Sequence, residues 1–447
     1  MSEAESHIQT VTFRDLRHTA PLPPELLLRT ESDLSAYLAA VQDIIDEVRR
    51  TGDASLIRYA RELDHVVPAT FDLQVTEAEF AAAEAAIDAD VLNAIRYAAD
   101  NIRRFHTAQK PPPIAWMEVQ PGAFAGDRFV PIDSVACYVP RGKGAFPSVV
   151  MMTAIPAVVA AVPNICIITP PGPDGRVDAG TLVAARIAGV ERIYKCGGAQ
   201  GVAAVAFGTQ TVPRCEKIIG PGSPWVVAAK RLLRDVIDPG VPAGPSECII
   251  LADDSAPPHT AALDLIIESE HGPDSSAYLV TPCESVARAV AGYLPRLWAD
   301  MEPQRAEFSR AVLCGPRGGV LLVRDLDTAI DFINDYAPEH LELMTRGPMG
   351  LLDRIRHAGE VLLGAHTPVT LGNFVLGPNA VLPTNRSART ASPLSVHDFM
   401  KRSSVGYVTP EGFAALARHA IVLARYEGFD GHARALSERG RVPSINV

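Results

Sequence analysis

Val135–Thr169, reading VACYVPRGKGAFPSVVMMTAIPAVVAAVPNICIIT, decides the fold of this 447-residue chain. Val135–Val139 is a short apolar run of strand length, and Ser148–Val162 has the length of a helix. Ile165–Thr169 is again a short apolar run rich in branched side chains. After a turn at Pro170–Asp174 the alternation continues: a helix over Thr181–Ala188, a strand over Arg192–Cys196 and a helix opening at Gln200. A strand over Lys217–Gly220 and a helix over Pro224–Leu233 complete the series. Strands separated by helices at this spacing predict a parallel, doubly wound sheet. A second series begins at Cys248–Leu251 and runs through Ala277–Thr281, Val286–Leu294, Gly319–Val323 and Leu326–Asn334. The expected fold class is α/β, with two α/β domains of similar kind.

The flanks read differently. Residues 1–25 form an irregular arm with a strand-like stretch at Thr10–Phe13. Ser32 is placed to cap a helix whose inner face carries Leu34, Leu38, Val41, Ile45 and Val48 and which Gly52 closes. Thr76 and Glu79 form a capping box for one long Ala-rich helix, expected to reach about His106 and to end before Pro111-Pro112-Pro113. The tail from about Asp398 holds a helix over Gly412–Arg425 and the segment Glu427–His432.

Composition narrows the function. Hydrophobic residues are 47% and charged residues 21%, a globular profile. The net charge of −11 argues against nucleic acid or an anionic membrane as the main partner. The seven cysteines are scattered without a CxxC pair, which fits reduced thiols in a cytoplasmic protein. The first residues, MSEAESHIQTVTF, lack the apolar centre of a signal peptide. Ser148–Val162 is too short, and too broken by Pro156, to span a bilayer.

The chemistry-bearing residues fall in a few stretches. In Leu265–Ser276, LIIESEHGPDSS, Glu268 and His271 stand three apart and share a helix face, with Asp264 a turn earlier. Gly272 and Pro273 stop the helix, which puts His271 in its last turn. A carboxylate and an imidazole so placed can hold a divalent metal. The same residues also suit a solvated helix end with a terminal His. Ala337-Pro338-Glu339-His340 sets a carboxylate beside an imidazole after a proline, a pair able to move two protons if both enter one cleft. Gly220-Pro221-Gly222-Ser223 lies between a strand and a helix, where backbone N–H groups can bind phosphate or simply close a tight turn. No GxGxxG follows a strand, and Arg141-Gly142-Lys143-Gly144 fails the Walker pattern, so a nucleotide hydrolase is not expected.

In order and wording these segments resemble the histidinol dehydrogenase family. CYVPRGKGAFPS, GGAQGVAAVAFGT, GPGSPWVVAAKR, AGPSE, ESEHGPDS, YAPEHLEL, LGNFVLGPNAVLPT, DFMKR and EGFDGHARA carry the resemblance, from about Val135 to Arg434. It implies two Rossmann-like domains with small terminal extensions, an intertwined homodimer, one zinc ion per subunit, and NAD-dependent oxidation of a primary alcohol through an aldehyde to a carboxylate. The expected division is an arm at 1–25 and a first α/β domain over 26–134 plus 248–397. An NAD-binding domain over 135–247 and a dimer-swapped tail over 398–447 complete it. By position, His340 matches the base that takes the hydroxyl proton, and Glu339 the base that activates water. Glu268, His271, Asn373 and His432 match the zinc ligands. Tyr138, Gln200 and Ser223 match NAD contacts. Ser246 and Glu427 match substrate contacts.

The departures cluster at the metal and the substrate. Glu268 stands where the family has glutamine, and Asn373 where it has aspartate. Together these preserve one carboxylate, one amide and two imidazoles, a set that suits zinc and tolerates manganese. Val369 stands for a family glutamate, Ala380 for a histidine, His366 for an aromatic residue and Ser223 for an asparagine. Arg141-Gly142 stands where the family has a Gly-Gly pair, followed by Lys143, so cations lie nearby in sequence, and Arg suits anions through paired hydrogen bonds. The expected substrate is therefore a small anionic alcohol, as for sulfopropanediol dehydrogenase-like members. The alternatives are L-histidinol dehydrogenation in histidine biosynthesis and a non-catalytic scaffold on the same dimer.

Overall fold

The computed structural model describes residues 10–29, 34–141 and 144–439. They divide into two units: one holds the chain up to Gln109 together with Ile132–Phe399, and the other holds Lys110–Pro131 and the residues from Met400 onward. Ser32 and Lys143 lie outside the described residues.

In the larger unit the chain opens with β1 (Phe13–Asp15) and four helices: α1 (Ser35–Thr51), α2 (Asp53–Glu62), α3 (Glu77–Ala86) and α4 (Ala89–Gln109). The smaller unit's strands β2 (Ile114–Gln120) and β3 (Ala123–Pro131) come next. Then follow β4 (Ser134–Tyr138), α5 (Pro147–Ala160), β5 (Asn164–Ile168), α6 (Ala179–Ala188), β6 (Ile193–Tyr194), α7 (Gly198–Phe207), β7 (Lys217–Ile219) and α8 (Pro224–Leu232). The second series is β8 (Glu247–Ala252), α9 (Pro258–Ser269), β9 (Ser276–Thr281), α10 (Glu284–Ala299), α11 (Pro303–Leu313), β10 (Gly318–Leu322), α12 (Leu326–Tyr336), β11 (His340–Met344), β12 (Glu360–Leu363) and α13 (Val369–Phe374). The smaller unit resumes with β13 (Met400–Val408), α14 (Pro410–Tyr426) and α15 (Asp430–Ser437).

The first series forms a parallel sheet in the order β6-β5-β4-β7. Alternate residues Ala136, Tyr138, Cys166 and Ile168 point into one cluster with Val41, Ile45 and Val48 of α1, Val202 of α7 and Val226 of α8. On α1 those three residues recur at helical spacing, so its buried stripe is the expected one. The four N-terminal helices were expected to join residues 248–397; they pack instead on this four-stranded sheet's layers, α1 on α7 and α8, α3 on α6, and α4 on α5. The single long helix expected from Thr76 is two. The capping box is present, but Ile87 turns extended, and the Asp88 carboxylate accepts the N–H groups of Asp90 and Val91 and starts α4 afresh.

The second series forms a six-stranded parallel sheet ordered β1-β10-β9-β8-β11-β12. Cys248, Ile250, Leu279, Met344 and Leu362 face a cluster that includes Leu265 of α9 and Leu294 of α10. Ile249, Leu251, Val280, Leu341 and Leu343 face Ile330 and Ile333 of α12 on the other side. Both faces are covered, as parallel sheets require.

In the smaller unit β13, β3 and β2 form an antiparallel sheet, paired from Met400↔Pro131 to Val408↔Ala123. Gly122 makes the β2–β3 turn at φ +73°, and Thr409 caps α14 by accepting the Gly412 N–H at 3.2 Å. Residues 110–131 were expected in the first α/β domain. Instead β3 pairs with the tail's strand β13, and β2 pairs with β3.

Candidate active site

Helix α9 ends at Ser269 with Glu270 at its C-cap, so His271 stands just past the helix and not in its last turn as expected. Its N–H still donates to the Glu268 carbonyl at 3.3 Å. The helix's negative end favours a cation at this point. Glu268 is 1% exposed. Its Oε1 accepts Asn373 Nδ2 at 2.9 Å, and its Oε2 lies 3.0 Å from His271 Nδ1. That same Nδ1 is 2.9 Å from Ser246 Oγ. The structure thus brings together Glu268, His271, Asn373 and Ser246, drawn from α9, the segment after it, α13 and the approach to β8. Burial would push the Glu268 carboxyl up, but the neighbouring His271 and His340 imidazoles and the Asn373 hydrogen bond hold it well below the carboxylate range. Glu268 in turn raises His271, against burial.

Glu339 and His340 lie at the start of β11, both buried. His340 Nε2 is 3.9 Å from Glu339 Oε1, and Nδ1 is 2.9 Å from Glu360 Oε2. Glu339 Oε2 accepts the Glu247 N–H at 3.0 Å. Glu247 is paired in turn with Arg29, Nε to Oε1 at 3.0 Å, and Arg29 also donates to the Tyr336 carbonyl at 2.6 Å. Burial pushes Glu339 up to about 8, with His340 pulling the other way. Burial opposes an imidazolium at His340, yet Glu339, the Glu360 hydrogen bond and Glu268 outweigh it and push it up to about 10. The site sits at the N-terminal ends of β8, β11 and β12. Ligands of parallel α/β sheets more commonly lie at the carboxyl ends. Here the C-terminus of α9 reaches back to the opposite edge.

The residues fit a divalent cation. Glu360 Oε1 and Glu247 Oε2 are buried and accept no hydrogen bond, and Glu268 Oε2 has only the His271 imidazole beside it. Such orphaned carboxylate oxygens are costly without a positive partner. Donor atoms of Glu268, Glu339 and His340 lie within 4.8 Å of one another. Two donors each about 2.0–2.2 Å from a tetrahedral zinc ion stand about 3.4 Å apart, close to but wider than the 3.0 Å Glu268–His271 ion pair. Asn373 can present either amide atom by a half-turn.

Tyr138, Gln200 and Ser223 fall at the carboxyl ends of the other sheet. Tyr138 ends β4, and its hydroxyl accepts the Gly198 N–H at 3.1 Å. Gln200 is buried in the first turn of α7, and Ser223 is the N-cap of α8. β4 and β7 are neighbours in a sheet whose order reverses there, the usual place for a nucleotide. Gly220 closes that point at φ +124°, where a Cβ would sit 2.2 Å from the Tyr138 carbonyl oxygen.

Other expected site residues are placed differently. Arg141 is exposed and donates to the Pro171 carbonyl at 2.7 Å, over Gly172. Among the described residues no hydrogen bond or ion pair links it to the carboxylate–imidazole cluster. Val369 is fully buried in the core of the six-stranded sheet, and its N–H donates to Glu342 Oε1 at 2.8 Å. In the smaller unit Glu427 caps the end of α14, and His432 lies exposed on α15 with its ring 5.2 Å from Phe429. The sequence reading missed Arg29, Glu247 and Glu360. Glu247 stands directly after Ser246 in AGPSE, the one signal that was available.

Two parallel sheets, a buried Glu–His pair and a carboxylate-rich pocket define an α/β protein whose site suits proton transfer and could hold a divalent cation. The histidinol dehydrogenase family model matches residues 27–440, and the chain belongs to the histidinol dehydrogenase family. It is an NAD-dependent oxidoreductase acting on CH–OH groups. It is 60% identical over 429 residues to histidinol dehydrogenase homolog 2 of Mesorhizobium japonicum, covering 96% of this chain and 98% of that one. It is 47% identical over 415 residues to the histidinol dehydrogenase of Synechocystis sp., covering 93% and 95%. Among solved structures, histidinol dehydrogenase from Elizabethkingia anophelis superposes with a TM-score of 0.91 at 30% identity, covering 96% of this chain and 98% of that chain. Among the described residues no helix is long and apolar enough to cross a membrane.

Proposed function

We propose that this chain is a zinc- and NAD-dependent dehydrogenase that oxidises a small anionic primary alcohol through an aldehyde to a carboxylate. The observation that carries the chemistry is the buried Glu339–His340 pair beside Glu268, whose donor atoms lie within 4.8 Å of one another. Glu268, His271 and Asn373, with His432 of the tail, would hold the metal. Zinc, when bound, supplies Lewis-acid polarisation of the substrate oxygen. His340 takes the hydroxyl proton as hydride leaves the same carbon for NAD. Glu339 then takes a proton from the water that adds to the aldehyde carbon while the proton on His340 returns to the aldehyde oxygen, and the hydrate gives a second hydride to a second NAD as His340 again takes a hydroxyl proton. Tyr138, Gln200 and Ser223 line the proposed NAD position.

The anionic substrate rests on the sequence positions that lost a carboxylate or an imidazole. Of these, Val369 lies in the core and offers no charge. Ser246 is the substrate-contacting serine in this reading, with Arg141 and Lys143 the cations the sequence offers for an anionic group. L-Histidinol is the second reading, favoured by Glu427, which remains a carboxylate. The proposed homodimer, with the tail reaching the partner's site, is supported by apolar side chains exposed in the tail: Val422 at 62%, Leu423 at 60% and Tyr426 at 89%. NAD reduction by the zinc-loaded protein over a panel of anionic diols and L-histidinol tests the reading. Turnover of the anionic diols in preference is expected; ordinary efficiency on histidinol with none on the diols would reverse it.

A further inference from the structure

Cys248, His340 and Glu360 are register partners on β8, β11 and β12, so they sit side by side across the sheet. In parallel strands register partners project to the same face. His340 and Glu360 therefore meet by construction, on the face that α9 covers. Glu360 Oε2 is 2.9 Å from His340 Nδ1, with the two side chains 8% and 3% exposed. Gly372 of α13 lies against the same carboxylate: a Cβ there would come within 2.6 Å of Glu360 Oε1. The carboxylate is thus held between the imidazole and the helix that carries Asn373. Only the other ring nitrogen, Nε2, faces Glu339.

We propose that Glu360 is a positioning residue that fixes the tautomer of His340. Its carboxylate accepts Nδ1–H, which leaves the lone pair of the neutral imidazole on Nε2, on the side of Glu339 and Glu268. The ring is then ready to receive the hydroxyl proton without a flip. When Nε2 is protonated, the same carboxylate stabilises the imidazolium. The inference rests on His340 being the base in the proposed function. Replacing the carboxylate by an amide removes its charge and lets an NH2 face Nδ1, which selects the opposite, unproductive tautomer. Loss of a ring's orienting carboxylate in other enzymes lowers kcat by factors from about 10² to about 10⁴.

Nitrogen-15 chemical shifts of labelled histidine, compared between the wild type and His340→Ala to assign the signal, read the tautomer directly in the folded dimer. In the zinc-loaded enzyme, where the cation offsets the pull of Glu339 and Glu268 and lets the ring go neutral, a protonated Nδ1 with free Nε2 is expected, and the reverse overturns the proposal. In the metal-loaded enzyme Glu360→Gln should lower kcat at least 100-fold, with the alcohol KM and metal content unchanged. Glu360→Asp should recover most of it. In a His340→Ala background Glu360→Gln should cost nothing further. A Glu360→Gln enzyme within threefold of wild-type kcat, or one that fails only by losing its metal, overturns the proposal. Full turnover by His340→Ala would instead sink the assignment of the base, and the nitrogen shifts would still decide the tautomer.

Discussion

Asn373 Nδ2 lies 2.9 Å from Glu268 Oε1, which ties α13 to the end of α9 across the mouth of the cation pocket. One member is a carboxylate and the other an amide, so the pair carries a single negative charge. Exchanging the two chemistries keeps that charge and the hydrogen bond. Glu268→Gln removes the charge, and Asn373→Asp sets two carboxylates against each other. Each single substitution should weaken zinc binding by about 10- to 100-fold. The double variant Glu268→Gln/Asn373→Asp should return to within a few-fold of wild type. Zinc retention against a graded chelator, read by metal analysis, checks this. Additive losses in the double variant would show that the two side chains do not share one ion.

Arg29 and Glu247 form an ion pair with side chains only 6% and 3% exposed. The guanidinium also stacks 3.5 Å above the Tyr336 ring. Arg29→Met would strand the Glu247 carboxylate, whose Oε2 already accepts no hydrogen bond. Breaking one half of a buried pair costs about 3–5 kcal/mol. Because the Glu247 N–H holds Glu339, turnover should fall as well. Arg29→Met/Glu247→Gln should recover most of the stability, since the stranded charge is then gone. Denaturant unfolding of the three variants measures it, and an unchanged midpoint in Arg29→Met would refute the argument.

Most of the alternating strands and helices, from β4 to β10, could be read in the sequence because their strands are short, largely apolar runs that need cover on two faces; β11 (HLELM) and β12 (EVLL) carry charged or polar residues and went unread. The same logic fails for β2, in which every residue is exposed. Its IAWMEVQ has no clean alternation, and the sheet is completed by β13, which pairs with β3 from far along the chain, so little local marks β2 as a strand. The join between α3 and α4 was hidden by a continuous Ala-rich run. Only the carboxylate of Asp88, bonding to its own downstream backbone, reveals it. Glu268, His271 and Asn373 were legible because the family wording carries them. Glu360 was not. A glutamate opening a short edge strand gains meaning only from register, and register is a property of the assembled sheet.

Asp64 offers a test by pH. Burial raises its carboxyl to about 6 from an ordinary 3.8, with Arg141 and His65 pulling the other way, and Oδ2 accepts no hydrogen bond. The folded state therefore binds this proton more tightly than the unfolded chain. Below about pH 4 both states hold it and the carboxyl carries no penalty. Stability is lost as pH rises through the folded value near 6, and the loss then levels off. Asp64→Asn removes that dependence. Discounted for partial exposure, the gain should be about 1–2 kcal/mol at pH 7.5 and close to nothing at pH 4. Thermal melts of both proteins across that range decide it; a gain that grows toward low pH would contradict the sign.

His432 is exposed on α15, and the proposed dimer gives it to the partner's metal site. Two defective chains then become informative together. His340→Ala lacks the base, and His432→Ala lacks the donated ligand, so each homodimer should be inactive. In a mixed dimer one site collects both defects, and the other receives an intact His340 and an intact His432. Random pairing of equal amounts makes about half the dimers mixed, each with one working site of two, so about a quarter of wild-type activity should return. If each chain instead used its own His432, every site in the mixture would carry one defect and no activity would appear. Co-expression with two different tags, purification of the doubly tagged dimer, where about half of wild-type activity is then expected, and NAD reduction on the best alcohol of the panel separates the two arrangements.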